Sequence, residues 1–117
     1  MRDLSKKSIN QIYQNGRHLH TKSFRIKWLT SNIVEPKVQL LISVPKKNIK
    51  KAVDRNYIKR IIRESYTANK PFICKLFPSP VSIVLIYNKT TMPVFNKLKI
   101  ELLTLFEIVS KKHEINQ

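Results

Sequence analysis

The sequence predicts an α+β fold in which helices pack against one layer of β-sheet. Stretches with the 3.6-residue apolar period of amphipathic helices occur near both ends and in the middle of the chain. Between them lie segments in which apolar residues alternate with polar ones or run together, as they do in strands. The predicted order is helix, strand, strand, helix, strand, helix, in one domain spanning residues 1–117.

The first helix is expected over residues 6–15, with Ser5 as its N-cap. Gly16, the only glycine, is expected to end it in the left-handed conformation. One face of this helix carries its larger apolar side chains: Ile9, Ile12 and Tyr13.

Three strands are expected. Residues 19–29 place Phe24, Ile26 and Trp28 on one face and basic residues on the other. Residues 37–44 place Val38, Leu40, Ile42 and Val44 on one side. A polar turn joins these two segments, so they are predicted to pair as an antiparallel hairpin. Residues 81–87 are nearly all apolar and often β-branched, which predicts a central strand covered on both faces.

The last part of the chain is expected to be a long amphipathic helix. Its apolar stripe consists of Leu98, Leu102, Leu105, Phe106 and Val109. Before the central strand, Pro71, Pro78 and Pro80 predict that the connection from the middle helix is a loop.

The charge of the chain is its strongest compositional signal. Lys and Arg number 23 against 7 Asp and Glu, so the net charge is +16, and a polyanionic partner is expected.

One cysteine, Cys74, suits a reducing cytoplasm. No apolar run reaches the length of about 18 residues that a membrane span needs. A basic helix lying on a membrane surface stays possible in principle, although its cationic face lacks a Trp or Phe border.

The middle helix has one face for the core and one for an anion. From Asp54 onward its core arc is predicted to hold Tyr57, Ile58, Ile61, Ile62 and Ser65. The opposite arc holds the polar and basic residues Arg55, Asn56, Lys59, Arg60 and Arg63. Residues 46–53 do not fit this wheel and are expected to form a basic loop or first turn that leads into the helix.

A face that served only solubility would mix both signs of charge. Here Arg55, Lys59 and Arg63 stand four residues apart and repel one another, at a cost of a few tenths of a kcal/mol for each pair. The repulsive row indicates a negatively charged partner for this helix.

Catalysis by the protein itself is not predicted. The acidic residues are scattered without a repeated short spacing, and no Cys/His set has the spacing of a zinc site. His18 and His20 share one face of a strand and are the best candidates for acid–base chemistry. Histidines that are exposed at the surface or face the anionic partner are the favoured interpretation of this pair.

The basic segment resembles the Arg-Asn-Arg signature of the bacterial ribonuclease P protein family. The resemblance lies in Ala52-Val53-x-Arg55-Asn56-x-x-Lys59-Arg60-x-x-Arg63-Glu64, preceded by Ser43-Val44-x-Lys46-Lys47. Weaker similarity on both sides, beginning at Ile9-x-x-Ile12-Tyr13-x-x-Gly16, extends it over nearly the whole chain. Three positions depart from the pattern: Lys50 replaces a frequent Gly, Thr67 a frequent Arg, and Ile9 the usual aromatic.

The resemblance implies a split α/β sandwich, shared with a domain of a small-subunit ribosomal protein, with a left-handed crossover through the basic helix. It also implies a monomeric, cytoplasmic protein that assists a catalytic RNA in removing the 5′ leader of precursor tRNA. The protein would bind no cofactor alone, because magnesium would be held by the RNA of the holoenzyme. An RNA-binding protein of ribosomal type without a role in cleavage is the alternative, and a DNA-binding protein is a weaker one.

Site residues follow from the same resemblance by position. Contact with the catalytic RNA is expected from Lys46, Lys47, Lys51, Arg55, Asn56, Lys59, Arg60 and Arg63. A cleft between the first helix and the open sheet face would hold the leader, with contacts from Tyr13, Arg25 and Lys27. For Tyr13, packing in the core beside Ile9 and Ile12 is the alternative. Trp28 is expected in the core.

Overall fold

The computed structural model describes residues 6–32, 34 and 36–115, with side chains as far as residue 112. The elements are, in order, α1 (Lys6–Asn15), β1 (Arg17–His20), β2 (Phe24–Thr30), β3 (Val38–Ser43), α2 (Ala52–Ala68), α3 (Lys70–Leu76), β4 (Val81–Tyr87) and α4 (Phe95–Ile115). The predicted α+β class is confirmed. Ser5, the predicted cap of α1, lies outside the described residues. In the part of the chain that is described, no helix is both long enough and apolar enough to cross a membrane.

The four strands form one sheet in the order β1-β2-β4-β3. β4 pairs antiparallel with β2 and parallel with β3, and α2 and α3 form the crossover between the two parallel strands. The predicted hairpin between residues 19–29 and 37–44 is therefore wrong, because β4 lies between them. β4 is apolar on both faces and takes the central position, where both faces are buried.

The predicted strand over residues 19–29 is in fact two strands. The chain turns at Thr21, whose N–H donates to the carbonyl oxygen of Phe24 at 2.8 Å, and β1 then pairs antiparallel with β2. The predicted alternation within β2 is confirmed, since Phe24, Ile26 and Trp28 are buried while Arg25 and Lys27 are only partly so.

The connection after α2 was predicted as a loop and is helical in its first half. Pro71 lies in the first turn of α3, where its missing N–H removes no hydrogen bond and its fixed φ suits the helix. The helix buries Ile73 in the core, and the irregular part of this connection is limited to residues 77–80.

The sheet buries its two faces unequally. α2, α3 and α4 cover the face that carries Phe24 and Tyr87, and the predicted apolar stripe of α4 is buried there. On the other face the short helix α1 packs through Ile12 on Val84, with Ile9 and Leu41 partly buried beside them. The part of this second face nearest β1 is left open to solvent.

Gly16 ends α1, but not in the way that the sequence predicts. Its φ lies outside the left-handed region, so conformational freedom is not the reason for a glycine. A Cβ atom here would lie 2.9 Å from the carbonyl oxygen of Trp28 and closer still to that of Ile12. Both oxygens belong to the backbone, so glycine is needed because α1 and β2 approach each other too closely for a side chain.

Candidate nucleic-acid interface

Helix α2 separates a buried face from a cationic one, as predicted. Asp54 lies in the first turn, and Ile58, Ile61 and Ile62 are buried in the main core. Tyr57 is the exception to the predicted core arc, because its side chain is 41% exposed. Its ring lies at the border of the two faces, where the guanidinium carbon of Arg60 is 5.5 Å from the ring centroid.

The polar face of α2 is open to a partner. Asn56, Arg60 and Arg63 are exposed, while Arg55 and Lys59 are partly buried. Among the described residues no carboxylate forms an ion pair with any of these four cations. The repulsion between them is therefore uncompensated within the described part of the protein, as the sequence predicts for a surface that binds an anion.

Arg55 has a second role that sequence reasoning missed. Its Nη1 atom donates to the carbonyl oxygens of Ile49 at 3.0 Å and Lys50 at 2.8 Å. Ile49 is itself buried in the main core, so the segment before α2 is anchored at two points. The signature arginine thus holds the basic loop, residues 45–51, against the helix.

The basic loop presents its lysines to solvent. Lys46, Lys47 and Lys51 are all exposed. The backbone beneath them is fixed by Asn48, whose N–H donates to the carbonyl oxygen of Pro45 at 3.0 Å and whose Nδ2 donates to that of Tyr87 at 3.2 Å. The side-chain hydrogen bonds that hold this loop come from Arg55 and Asn48.

The open part of the sheet forms a second polar surface with α1. Lys27 of β2 places its Nζ atom 4.1 Å from the centroid of the Tyr13 ring. Tyr13 is 49% exposed, so the alternative that it packs in the core is wrong. Trp28, on the opposite face of the strand, is buried as expected, with the Arg17 guanidinium 5.5 Å from its ring centroid.

Arg25 lies on the same face as Lys27, and the two are flanked by the histidines of β1. The strand register sets His20 beside Arg25 and His18 beside Lys27. Both histidines are exposed, and their rings are arranged edge to face with the ring centroids 6.3 Å apart. The Nε atom of Arg25 is buried and has no hydrogen-bond partner among the described residues. The cross-strand neighbours of the histidines are cations, so this surface is suited to bind an anionic strand.

No metal centre is found in the described part of the chain. Nowhere among those residues do three or more His, Cys, Asp or Glu side chains come together in a way that could hold a metal ion. The two surfaces described above supply charge, hydrogen bonds and ring stacking from the protein's own side chains.

Comparison with known proteins gives one family. The model of the Ribonuclease P family matches residues 2–110. The ribonuclease P protein component of Macrococcus caseolyticus is 45% identical over 65 residues, which cover 56% of this chain and 55% of that protein. The one from Nitrosococcus oceani is 32% identical over 66 residues, covering 56% and 54%. The chain thus spans about half the length of the curated relatives it matches.

Solved structures extend the likeness over more of the chain. The RNase P protein of Thermotoga maritima has a TM-score of 0.74 at 25% identity, covering 92% of this chain and 96% of that one. The RNase P protein of Staphylococcus aureus has a TM-score of 0.75 at 25% identity, covering 91% and 92%. The arrangement of helices and strands described above is therefore the one found in these proteins.

Proposed function

Because this chain belongs to the Ribonuclease P family, we propose that it acts as the protein subunit of ribonuclease P. In this role it helps a catalytic RNA to hydrolyse the phosphodiester bond that joins the 5′ leader to tRNA. The RNA carries the chemistry and holds the magnesium ions, while the protein contributes binding and no catalytic residue. The observation that carries the proposal is the cationic face of α2, without ion pairs among the described residues and opposite a fully buried face.

The catalytic RNA binds to α2 and the basic loop. Arginine and lysine side chains contact phosphate oxygens, and Asn56 is exposed and free to donate or accept a hydrogen bond at the RNA. The proposed set is Lys46, Lys47, Lys51, Arg55, Asn56, Lys59, Arg60 and Arg63. Arg55 contributes both its charge and the bonds that keep the loop lysines in place.

The leader of precursor tRNA binds on the opposite side of the sheet. Tyr13 offers a half-exposed ring on which a base can stack, and Lys27 lies over that ring. Arg25 lies on the same face of β2, so both cations can contact phosphates. A ring and two cations hold a single strand without demanding a particular sequence. Mature tRNA lacks the leader, so this surface favours the precursor over the product.

We further propose that the free protein is a cytoplasmic monomer. At a net charge of +16 two copies repel each other, and only the anionic RNA neutralises the cationic surfaces. Sedimentation at physiological salt tests the oligomeric state, and a stable dimer would contradict the proposal of a monomer.

Reconstitution tests the function directly. The purified protein is added to catalytic RNA and precursor tRNA at a magnesium concentration too low for efficient cleavage by the RNA alone. We expect cleavage at the 5′ end of the mature sequence to be stimulated. The control is a small ribosomal protein of comparable positive charge, which measures the effect of charge alone. Unchanged cleavage, or equal stimulation by the control, would leave the alternative of a purely structural RNA-binding protein.

A further inference from the structure

Three loops that are distant in the sequence meet at one end of the sheet. They are the β1–β2 turn at residues 21–23, the basic loop and the segment 88–94 after β4. The N–H of Asn88 donates to the carbonyl oxygen of Ser23 at 2.7 Å, which joins the first loop to the third. Asn48 joins the second to the end of β4 through the carbonyl oxygen of Tyr87. The three loops therefore form one connected corner.

Tyr87 stiffens the segment after β4. Its hydroxyl donates to the carbonyl oxygen of Thr91 at 2.7 Å. Burial, and to a smaller extent the nearby Glu101 carboxylate, raises the pKa of Tyr87, so the phenol stays protonated and keeps its role as a donor. The loop that carries Lys89 is thus held at both ends.

Lysines from three elements line a hollow at this corner. This hollow is lined by Lys22 from the β1–β2 turn, Lys89 from the segment after β4 and Lys97 from α4. We name these three residues the lysine corner. A neighbouring hollow is lined by lysines of the basic loop, and Met92 borders both hollows. The hollow of the lysine corner therefore adjoins that of the basic loop at Met92, with Asp54 among the residues that line the second hollow.

Glu101, which lines the hollow of the lysine corner, already accepts hydrogen bonds from uncharged groups. One carboxylate oxygen of Glu101 accepts hydrogen bonds from Thr21 Oγ1 at 3.0 Å and Ser23 N–H at 2.8 Å, and the other accepts one from Ser23 Oγ at 2.7 Å. Glu101 thus fastens α4 to the β1–β2 turn with uncharged donors. No described carboxylate forms an ion pair with Lys22, Lys89 or Lys97.

We propose that the lysine corner is a second phosphate-binding surface, which contacts the sugar–phosphate backbone of the catalytic RNA beyond the part held by α2. This inference rests on the function proposed above and names a further contact of the same partner. Because the three lysines come from three separate elements, they fit the spaced phosphates of a nucleic-acid backbone better than they fit a single small anion.

The position of the lysine corner selects the catalytic RNA rather than the leader. Tyr87 and Leu98 line the same hollow and belong to the face covered by α4, where the rings of Tyr87 and Phe24 lie 5.9 Å apart. The proposed leader surface, with Arg25 and Lys27, is on the other face of the sheet. A strand bound at the lysine corner would therefore continue toward the basic loop and not toward Tyr13.

The test compares two triple variants that remove the same charge. In the first, all three residues of the lysine corner become Ala. In the second, the lysines changed to Ala are the exposed Lys70 and Lys75 of α3 and Lys111 near the far end of α4. The dissociation constant for labelled catalytic RNA is measured over a range of salt concentrations, and circular dichroism checks the fold of each variant.

We expect the corner variant to bind catalytic RNA about tenfold more weakly or worse, while the control variant stays within a fewfold of the unchanged protein. The dependence of log K on log salt should become shallower by about 0.7–0.9 for each phosphate that the variant no longer neutralises. A variant with Arg at the three corner positions keeps the charges and should restore binding. If the Ala variant does not fold, the Arg variant is compared with one carrying Gln at the same positions.

Equal weakening in the corner and control variants would overturn the inference, since only total charge would then matter. An effect confined to precursor tRNA, with binding of catalytic RNA unchanged, would overturn the choice of partner. In either case a protein that stimulates cleavage still has the proposed function. Failure of the unchanged protein to stimulate cleavage would overturn both.

Discussion

The ammonium group of Lys27 lies over the ring of Tyr13, with its Nζ atom 4.1 Å from the ring centroid. This contact joins α1 to β2 across the open face of the sheet. A cation over an aromatic ring is worth about 0.5–1 kcal/mol at an exposed site, enough to favour one orientation of both side chains. The pair therefore presents a preformed stacking surface with a positive charge beside it.

Tyr13→Ala and Lys27→Ala should each weaken the binding of precursor tRNA to the assembled complex and leave mature tRNA little affected. Loss of base stacking on Tyr13 costs about 1–3 kcal/mol. The double variant should lose less than the sum of the two, because the side chains are in contact. Tyr13→Phe keeps the ring and is the control. Equal losses for precursor and mature tRNA would remove both residues from the leader surface.

Arg60→Ala and Arg63→Ala should each weaken the binding of catalytic RNA by about 1–3 kcal/mol, as expected when a charge-assisted hydrogen bond is removed. Both side chains are exposed, so the fold should be retained. Filter binding measures the affinity, and Lys75→Ala on α3 controls for the removal of one charge. A variant that loses the native circular-dichroism spectrum would show instead that the arginine is structural.

Arg55→Ala should have a different effect from its neighbours, because it removes the bonds to the carbonyl oxygens of Ile49 and Lys50. We expect faster hydrogen exchange at the amides of Asn48 and Ile49 and weaker binding of catalytic RNA. Lys59→Ala is the control, since it removes a charge from the same face and should weaken binding without changing exchange in the loop. Unchanged exchange in Arg55→Ala would contradict the anchoring role.

Local patterns in the sequence predict the parts of this fold that depend on local physics. The buried face of α2 around Ile58 and the buried stripe of α4 around Leu98 follow from helical periodicity alone. The apolar pattern of residues 81–87 predicted a central strand, but not its partners, because β4 pairs with strands that are distant from it in the sequence. Helical periodicity also predicted which cations of α2 share a face, but not that Arg55 turns back to the loop.

The lysine corner shows why surfaces built from separate loops escape sequence reasoning. Lys22, Lys89 and Lys97 come from distant parts of the chain and have no spacing that relates them. They meet because the β1–β2 turn and the C-terminal end of β4 lie at the same edge of the sheet and because Glu101 holds that turn against α4. Only the folded arrangement brings them together.

Gly16→Ala should destabilise the protein. The added Cβ would lie against the backbone oxygens of Ile12 and Trp28, and neither can move without shifting α1 or β2. Overpacking of this kind costs about 1–3 kcal/mol. Urea denaturation measures the effect, and Asn15→Ala, at an exposed position of the same helix, should change stability by no more than about 0.5 kcal/mol. Equal stability of the two variants would show that α1 adjusts freely.

Tyr66→Phe should make the protein less sensitive to alkaline pH. Burial, and after it the neighbouring Cys74 thiol, raises the pKa of Tyr66 to about 12 from the ordinary 10.0. Between these values the unfolded chain has released the proton that the folded protein still binds, so the free energy of unfolding falls as pH rises. This contribution is at most about 3 kcal/mol. It disappears in Tyr66→Phe, whereas Tyr87, whose pKa is also raised, leaves part of the slope in place.

At neutral pH the same substitution should change the free energy of unfolding by no more than about 1 kcal/mol, because the only polar group beside the buried Tyr66 hydroxyl among the described residues is the Cys74 thiol, which is a weak hydrogen-bonding partner. Urea denaturation at neutral pH and at steps above pH 10 measures both effects. Tyr57→Phe, at an exposed ring on the same helix, is the control. The prediction fails if the free energy of unfolding of Tyr66→Phe and of the unchanged protein falls in parallel as pH rises. Tyr66 would then release its proton at the same pH in the folded and the unfolded protein.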